Sequence, residues 1–492
     1  MQITRFSRLA AVALATGALA ACSSDSNDVT PPPAGPRQAT LSGSITANRT
    51  LSKDTTYVLS GFVYVQNGAT LTIPAGTRIV GDTLVPGSAL FVLRGARIEA
   101  NGTAAEPIVF TSQRAPGFRS PGDWGGLIIV GNAPVNRTGS VIIEGSNASI
   151  PGGNGTGVVY SGGNSPNDNS GTLRFVRVEF AGYAVSQDNE LNSFTFASVG
   201  RGTTLEYLEA LAGLDDHFEW FGGTADARYL VSYESGDDHF DAAEGFNGRV
   251  QYLIGFQSTI LQPRPGTGSP SSDPQGFEID GCAGTGCTAP AGGNAQSSEP
   301  YNMPVFANFT LVGTGDATNT PSGGGRGAVI RRGTGGVWLN GVFARWPRHA
   351  VSLRDSTTRN RYVADSLAFR GIYLTQNGTA VSGAQLELTS GYVTPDSGEI
   401  LPNVTPGTAT TQSLFTAFPT TISVATNGAS FDWQPAAGSP ITTGGTGAIP
   451  AGRIASRLTN FFGGTLQGTT FRGAADPAGP KWWAGWTSYA RN

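Results

Sequence analysis

Lysine is nearly absent from this chain: among 492 residues only Lys53 and Lys481 occur. Charged residues make up 13% and hydrophobic residues 39%. That balance excludes an intrinsically disordered chain, which needs high charge and few apolar groups. No basic run occurs outside the N-terminus and the net charge is −4. Nucleic acid is therefore excluded as a partner class. The Ala/Glu/Lys/Leu periodicity of long helices is missing, and no long amphipathic stretch separates the apolar runs. There is no Gly-x-Ser-x-Gly elbow and no Ser-His-Asp set at motif spacing. Neither Gly125-Gly126 nor Gly323-Gly324-Gly325 is followed by a Lys or a helix start, so both read as turns and not as phosphate loops.

Cysteine is equally scarce, with three in the chain. Cys282 and Cys287 lie in Cys-Ala-Gly-Thr-Gly-Cys. No further Cys or nearby His completes a zinc set, so a disulfide closing a small loop is expected. The third is Cys22. Arg5 and Arg8 precede an apolar stretch over residues 9–21, too short and Ala-rich for a stable span. It ends Leu19-Ala20-Ala21-Cys22, which resembles a bacterial lipobox. The resemblance implies a signal peptide over residues 1–21 and acylation of Cys22 by palmitate-type chains. Two or more such chains anchor stably. Ser23, not Asp, follows the Cys, so the outer membrane is the expected destination, facing the periplasm or the cell surface. Residues 22–40, with Pro31-Pro32-Pro33, read as the lipidated Cys and a flexible tether.

What the chain has in abundance is turn residues, with 70 Gly and 30 Pro. Between them lie short runs with period 2, such as Tyr57-Val58-Leu59-Ser60-Gly61-Phe62-Val63-Tyr64-Val65 and Ala96-Arg97-Ile98-Glu99-Ala100. Many short strands without helices predict an all-β sandwich, propeller, barrel or solenoid. Gly68-Ala69-Thr70-Leu71-Thr72-Ile73-Pro74-Ala75-Gly76-Thr77 resembles the first coils of right-handed parallel β-helix surface proteins. Pro121-Gly122-Asp123-Trp124-Gly125-Gly126, Phe218-Glu219-Trp220-Phe221-Gly222-Gly223-Thr224 and the tail Trp482-Trp483-Ala484-Gly485-Trp486-Thr487 extend the likeness over nearly the whole mature chain. Together they resemble a family of bacterial β-helix outer-membrane lipoproteins. The fold this implies is a right-handed parallel β-helix over residues 41–380, followed by late coils and an irregular cap over 381–492.

One internal repeat stands out. Asp215-Asp216-His217-Phe218 returns 22 residues later as Asp237-Asp238-His239-Phe240, and each copy continues into a carboxylate, Glu219 or Asp241. A period near 22 matches one coil of a stacked solenoid. Phe194-Thr195-Phe196, Phe218-Glu219-Trp220, Phe240-Asp241-Ala242 and Phe277-Glu278-Ile279 align as equivalent strands. The longer interval before Phe277 holds Pro263, Pro265, Pro270 and Pro274, read as a loop ejected from one coil. Tyr207, Tyr229 and Tyr252 fall in a second column. With Phe218, Phe240 and Phe277 inward, Glu219, Asp241 and Glu278 form an outward acidic column, and Asp280 shares its face.

Like charges opposite each other across strands are destabilising, so something must offset this column. Three readings stay open. The first is a cation: oxygens on coils about 4.8 Å apart suit Ca²⁺, with Asp216, Glu219, Asp238, Asp241 and Glu278 as ligands. A transition metal enters only if His217 and His239 also turn toward the acids. The second is catalysis: carboxylates about 5 Å apart suit retaining glycoside hydrolysis, with Glu219, Asp237, Asp238 and Asp241 as candidates. The Gly-His-Gly and Arg-x-Lys elements of polygalacturonases are absent, and Arg348-His349 is no match for them. The third is structural: turn Asp residues accept backbone N–H bonds, and Arg228, Arg249 or Arg331 pairs with the acids. Trp482, Trp483 and Trp486 are expected as a hydrophobic plug on the last coil and not as a sugar platform. The expected function is a lipid-anchored envelope module that binds a glycan or an outer-membrane protein without catalysis and is stabilised by Ca²⁺. The alternative is a polysaccharide hydrolase or lyase using the stacked carboxylates.

Overall fold

The computed structural model describes residues 37–186, 189–291, 293–388, 403–423, 425–449 and 453–492. The signal peptide and Cys22 lie outside the described residues. Twenty-six strands pair in parallel into one continuous sheet. The chain winds as a right-handed parallel β-helix, and each coil carries three short strands on three faces. The first strand, Arg37–Ile45, begins inside the expected tether.

Face A stacks Leu127–Val130, Phe194–Ala197, Phe218–Phe221, Phe240–Ala243, Phe277–Asp280 and Ala328–Arg331. Faces B and C come from single bent strands in the middle coils. Thr204–Leu211 pairs Ala227–Tyr233, which pairs Arg249–Phe256, which pairs Val305–Val312. The last coils continue to Leu386–Leu388 on face A and Val404–Pro406 on face C.

Alternation along each face A strand places one row inside. Phe194, Phe218, Phe240 and Phe277 are fully buried, with ring centroids 5.0, 5.4 and 5.5 Å apart in succession. Burying each ring contributes roughly 1.5–3 kcal/mol, and the stacked geometry adds to that. This ladder fixes the register, because a slip by one residue would drive the acids into the core.

The bend between faces B and C has a residue basis. Phe175, Tyr207, Tyr229, Tyr252, Asn308 and Asn340 occupy equivalent corners, and all have positive φ, between 48° and 66°. Only this left-handed step turns the strand while both halves keep their ladders. The expected tyrosine column is present, with centroids 4.5 Å apart for Tyr207–Tyr229 and 5.1 Å for Tyr229–Tyr252. Phe175 extends it, 4.3 Å from Tyr207.

The chain leaves the coils in several excursions. Residues 131–170 fold over face A of the early coils, where Val141, Ile143 and Tyr160 pack on Phe62, Phe91 and Ile128. Residues 257–276, the proline-rich interval, leave face C as expected. The segment after Phe277–Asp280 carries the Cys282–Cys287 disulfide. The tail departs from expectation. Trp483 and Trp486 are buried and apolar in role, but they do not plug the last coil. Trp486 packs edge-on against Phe175 and Tyr207, and Trp482 against Tyr229, so the tail runs back along the flank of the middle coils. There it covers Val231, Tyr233, Ile254 and Phe256.

Candidate functional site

The outward row on face A changes character along the helix. Phe91 and Ile128 lie under the 131–170 excursion, Thr195 follows, and then come Glu219, Asp241 and Glu278 in direct register. The acids emerge where the apolar cover ends. Three excursions wall this stretch: residues 131–170 with Glu144, the hairpin Ala184–Ser186/Asn189–Glu190, and the 257–276 loop with Ser271 and Asp273. They enclose an open cleft of about 840 Å³. Ten of the twenty described lining residues are Asp or Glu, and none is Lys, Arg or His.

The repeated Asp pairs sit in the turn before each strand. Asp216 Oδ1 accepts the Asp238 backbone N–H at 2.8 Å, and Asp238 Oδ1 accepts that of Gln275 at 2.5 Å. Each side chain thus ties its coil to the next, the structural role open to a turn Asp. The tie uses one oxygen of each carboxylate. Asp216 and Asp238 are buried, and Asp215, Asp237 and Asp241 are half-buried. Asp216, Asp238 and Asp241 offer oxygens that all lie within 4.8 Å of one another, and so do Asp215, Asp216 and Asp237.

Electrostatics follow from this crowding. Burial pushes Glu219 well above the usual carboxylate range, and the charges of Asp241 and Asp216 push it further. Burial likewise raises Asp216, reinforced by Asp215 and Asp237, and raises Asp238, reinforced by Asp237 and Glu278. Asp241 is raised by burial and by Asp216. Glu278 is raised to about 7 by burial and Asp280, with Arg331 opposing the shift. Arg331 donates to Asp280 at 2.7 Å and to Glu278 at 2.5 Å, so it neutralises the far end of the column.

Of the three arginines expected to pair with the column, only Arg331 reaches it. Arg228 pairs with Glu206, and Arg249 chelates Asp226, both on face B. The histidines turn away from the acids as well. His217 Nε2 accepts the Gly213 N–H at 3.0 Å, and its Nδ1 lies 2.7 Å from Ser232 Oγ. Ser232 Oγ lies 2.5 Å from His239 Nδ1. Burial holds both rings neutral, with His239 lowered to about 3. His349 stands elsewhere, 3.8 Å from Glu387. The cleft therefore offers oxygen donors alone, the donor set of Ca²⁺ or Mg²⁺ and not of Zn²⁺.

Two further observations fit a cation. Asp241 Oδ1 and Asn192 Oδ1 are buried without a protein partner. Asn192 is 2% exposed, and its Nδ2 donates to Glu219 Oε2, orienting that carboxylate. Of the sequence-derived ligand set, Asp216, Asp238 and Asp241 come together, while Glu219 is held by Asn192 and Glu278 by Arg331. Sequence reasoning missed Glu144, Glu190, Asn192 and Asp273. Asp273 carried a signal, since it falls in the ejected proline-rich loop, and so did Asn192, which stands two residues before Phe194 as Asp216 does before Phe218; Glu144 and Glu190 carried none.

No curated protein and no solved structure matches the chain. A family model described as a pectate-lyase-like β-helix domain matches residues 43–432. That span takes in the whole cleft and all the coils except most of the first strand, and the chain belongs to the pectate-lyase-like β-helix family.

Proposed function

We propose that this is a lipid-anchored envelope protein whose acidic cleft holds Ca²⁺ and serves, without catalysis, to bind a glycan or an outer-membrane protein. One observation carries the reading. Asp216, Asp238 and Asp241 converge within ligand distance, and the buried Asp241 Oδ1 beside them has no protein partner. A buried carboxylate oxygen left unpaired costs about 1–3 kcal/mol or more, which a bound cation removes. An anionic saccharide would meet only like charge in this cleft unless a cation bridges the two. The family is compatible with a binding module and with polysaccharide chemistry alike.

Elemental analysis of the purified protein, with melting temperatures in EDTA and in CaCl₂, tests the cation. Bound metal and a concentration-dependent rise in melting temperature are expected; neither appearing overturns the reading. The anchor rests on Cys22 and the preceding lipobox. Labelled palmitate should enter the wild type and not Cys22→Ser, and the wild type should fractionate with the outer membrane.

A second reading has its own support. Glu219 and Asp241 face each other on adjacent coils, and Asn192 orients Glu219, an arrangement that suits a hydrolase with two carboxylates. A panel of neutral and acidic polysaccharides, with and without Ca²⁺, separates the two. Turnover lost in Glu219→Gln or Asp238→Asn would replace the binding-only reading with a polysaccharide hydrolase or lyase.

A further inference from the structure

We infer that face B carries a binding site for a phosphate-class dianion, with Arg201 as its contact residue. The site is independent of the acidic cleft: it lies on another face and takes a ligand of the opposite charge.

Three guanidinium groups meet here around a single carboxylate. Asp226, just before the strand Ala227–Tyr233, is buried. Arg249 takes both of its oxygens, donating from Nε at 2.8 Å and from Nη2 at 2.5 Å, so these two charges cancel. Other donors of Arg249 go to the Arg457 and Asn460 carbonyls at 3.2 and 2.9 Å. Among the described residues Arg201 pairs with no carboxylate but the shared Asp226, and Arg457 pairs with none. Arg201 Nε lies 3.5 Å from Asp226 Oδ2 and is buried without a hydrogen-bond acceptor. Arg457 Nη1 is buried without one as well. Burial and the charges of Arg249 and Arg201 lower Arg457 to about 10, as for a cation short of a counter-charge. The neighbouring acids are already engaged. Glu206 pairs with Arg228 and Arg174, and Asp168 accepts the Asn132 N–H at 3.1 Å.

A pocket of about 360 Å³ opens beside this group, a size within the range of small-ligand sites. The corner before Thr204–Leu211 supplies Arg201 and Thr204, and the hairpin Thr459–Phe461/Gly464–Thr465 supplies Asn460 and Phe462. The Arg201 side chain is 29% exposed, so part of it meets solvent while its Nε stays buried. Charge selects the ligand. With Arg249 and Asp226 cancelling, Arg201 and Arg457 leave two positive charges. A phosphate group carries about −1.5 to −2 at neutral pH, whereas a carboxylate or chloride would offset only one of the two. The planar fork of a guanidinium also matches phosphate oxygens. Arg201 makes the contact, and the enclosed Arg457 acts through its field. A lipid headgroup phosphate and a free phosphate share this chemistry.

The full mature chain, stripped with EDTA and dialysed free of it, is titrated at pH 8 by calorimetry with inorganic phosphate and with sulfate. Saturable binding of one ion per chain is expected, with a rise in melting temperature. Arg201→Gln should weaken phosphate about tenfold or more. Arg457→Gln should weaken it less, because Arg457 makes no contact. Arg201→Lys keeps the charge and loses the fork, so it should fall between Arg201→Gln and wild type. Arg370→Gln removes an equal charge from a late coil and should leave the affinity unchanged. Circular dichroism on each variant checks that it folds. Soluble short-chain phosphatidic acid in competition with phosphate separates the two sources: a lipid that binds tighter assigns the site to a headgroup, and one that binds no tighter assigns it to free phosphate. No saturable binding of phosphate or sulfate overturns the inference, and so does full affinity in folded Arg201→Gln and Arg201→Lys. Either result leaves the cation reading of the acidic cleft standing.

Discussion

Two sets of buried groups titrate with opposite effect on stability. Glu219, Asp216, Asp238, Asp241 and Glu278 are raised in the folded state, chiefly by burial. Unfolded carboxylates titrate near about 4. The folded state therefore holds more protons than the unfolded one above that value. The stability from these acids is complete below about 4 and is lost as pH rises through their folded values, about 7 for Glu278. His217 and His239 are lowered by burial. Their contribution is complete above about 6.5 and is lost as pH falls toward the folded values, about 3 for His239. In EDTA, Asp241→Asn should therefore melt higher than wild type at pH 8, with the gap narrower at pH 5 and closing only near about 4. In saturating CaCl₂ the order should invert, because the variant lacks a ligand. Melting curves in the four conditions check both signs; an Asp241→Asn chain that melts below wild type in EDTA at pH 8 would show that the acid is already paired.

At the scale of the strand, the B–C corner sets a tyrosine into a conformation that suits glycine. Tyr229 has φ 64° and stacks on Tyr207 and Tyr252. The backbone cost is of order 1–3 kcal/mol, and two ring pairs at about 0.5–1.5 kcal/mol each offset it. Tyr229→Ala removes the stack and keeps the strain, so a loss of about 1–3 kcal/mol is expected by chemical denaturation. Tyr229→Gly removes both and should be the more stable of the two variants by about 1 kcal/mol. The reverse order would mean that the corner carries no strain. Asn308 and Asn340 solve the same corner another way. Asn tolerates the left-handed region, and their amides donate to the tail at Thr469 Oγ1 at 2.8 and 3.1 Å. The tyrosine column was legible from the sequence spacing. Its strained backbone was not: Leu205-Glu206-Tyr207-Leu208 breaks alternation at Tyr207-Leu208, which marks an irregularity without giving the sign of φ.

At the scale of the whole molecule, the tail binds coils distant from it in sequence. Arg177 donates to the Trp486 carbonyl at 3.0 Å, Glu209 accepts the Ser488 N–H at 2.9 Å, and the Trp433 indole donates to the Tyr233 hydroxyl at 2.9 Å. Trp486→Ala should cost about 3–5 kcal/mol, as for other buried aromatics. Deleting residues 481–492 should lower the melting temperature and raise dye binding, because Phe175, Tyr207, Tyr229 and Tyr233 then lose the rings of Trp482, Trp486 and Tyr489. A truncated chain that melts like the full one would reduce the tail to a passive extension.

The amino-acid sequence by itself determined the coil. The 22-residue repeat, the inward phenylalanines and the outward acids are consequences of strand alternation, a local geometry that period 2 records directly. The close Cys282–Cys287 pair was legible for the same reason: its partners are neighbours in the chain. Tertiary structure alone decided the rest. Glu144 and Glu190 reach the cleft through excursions whose paths depend on packing against distant coils. His217 and His239 share a turn with the acids, yet they point to Ser232 because the turn's backbone bonds aim the two kinds of side chain apart. The docking of Trp486 beside Phe175 joins residues far apart in the chain, and no local pattern encodes that contact; only the shape of the finished coil provides the surface on which it forms.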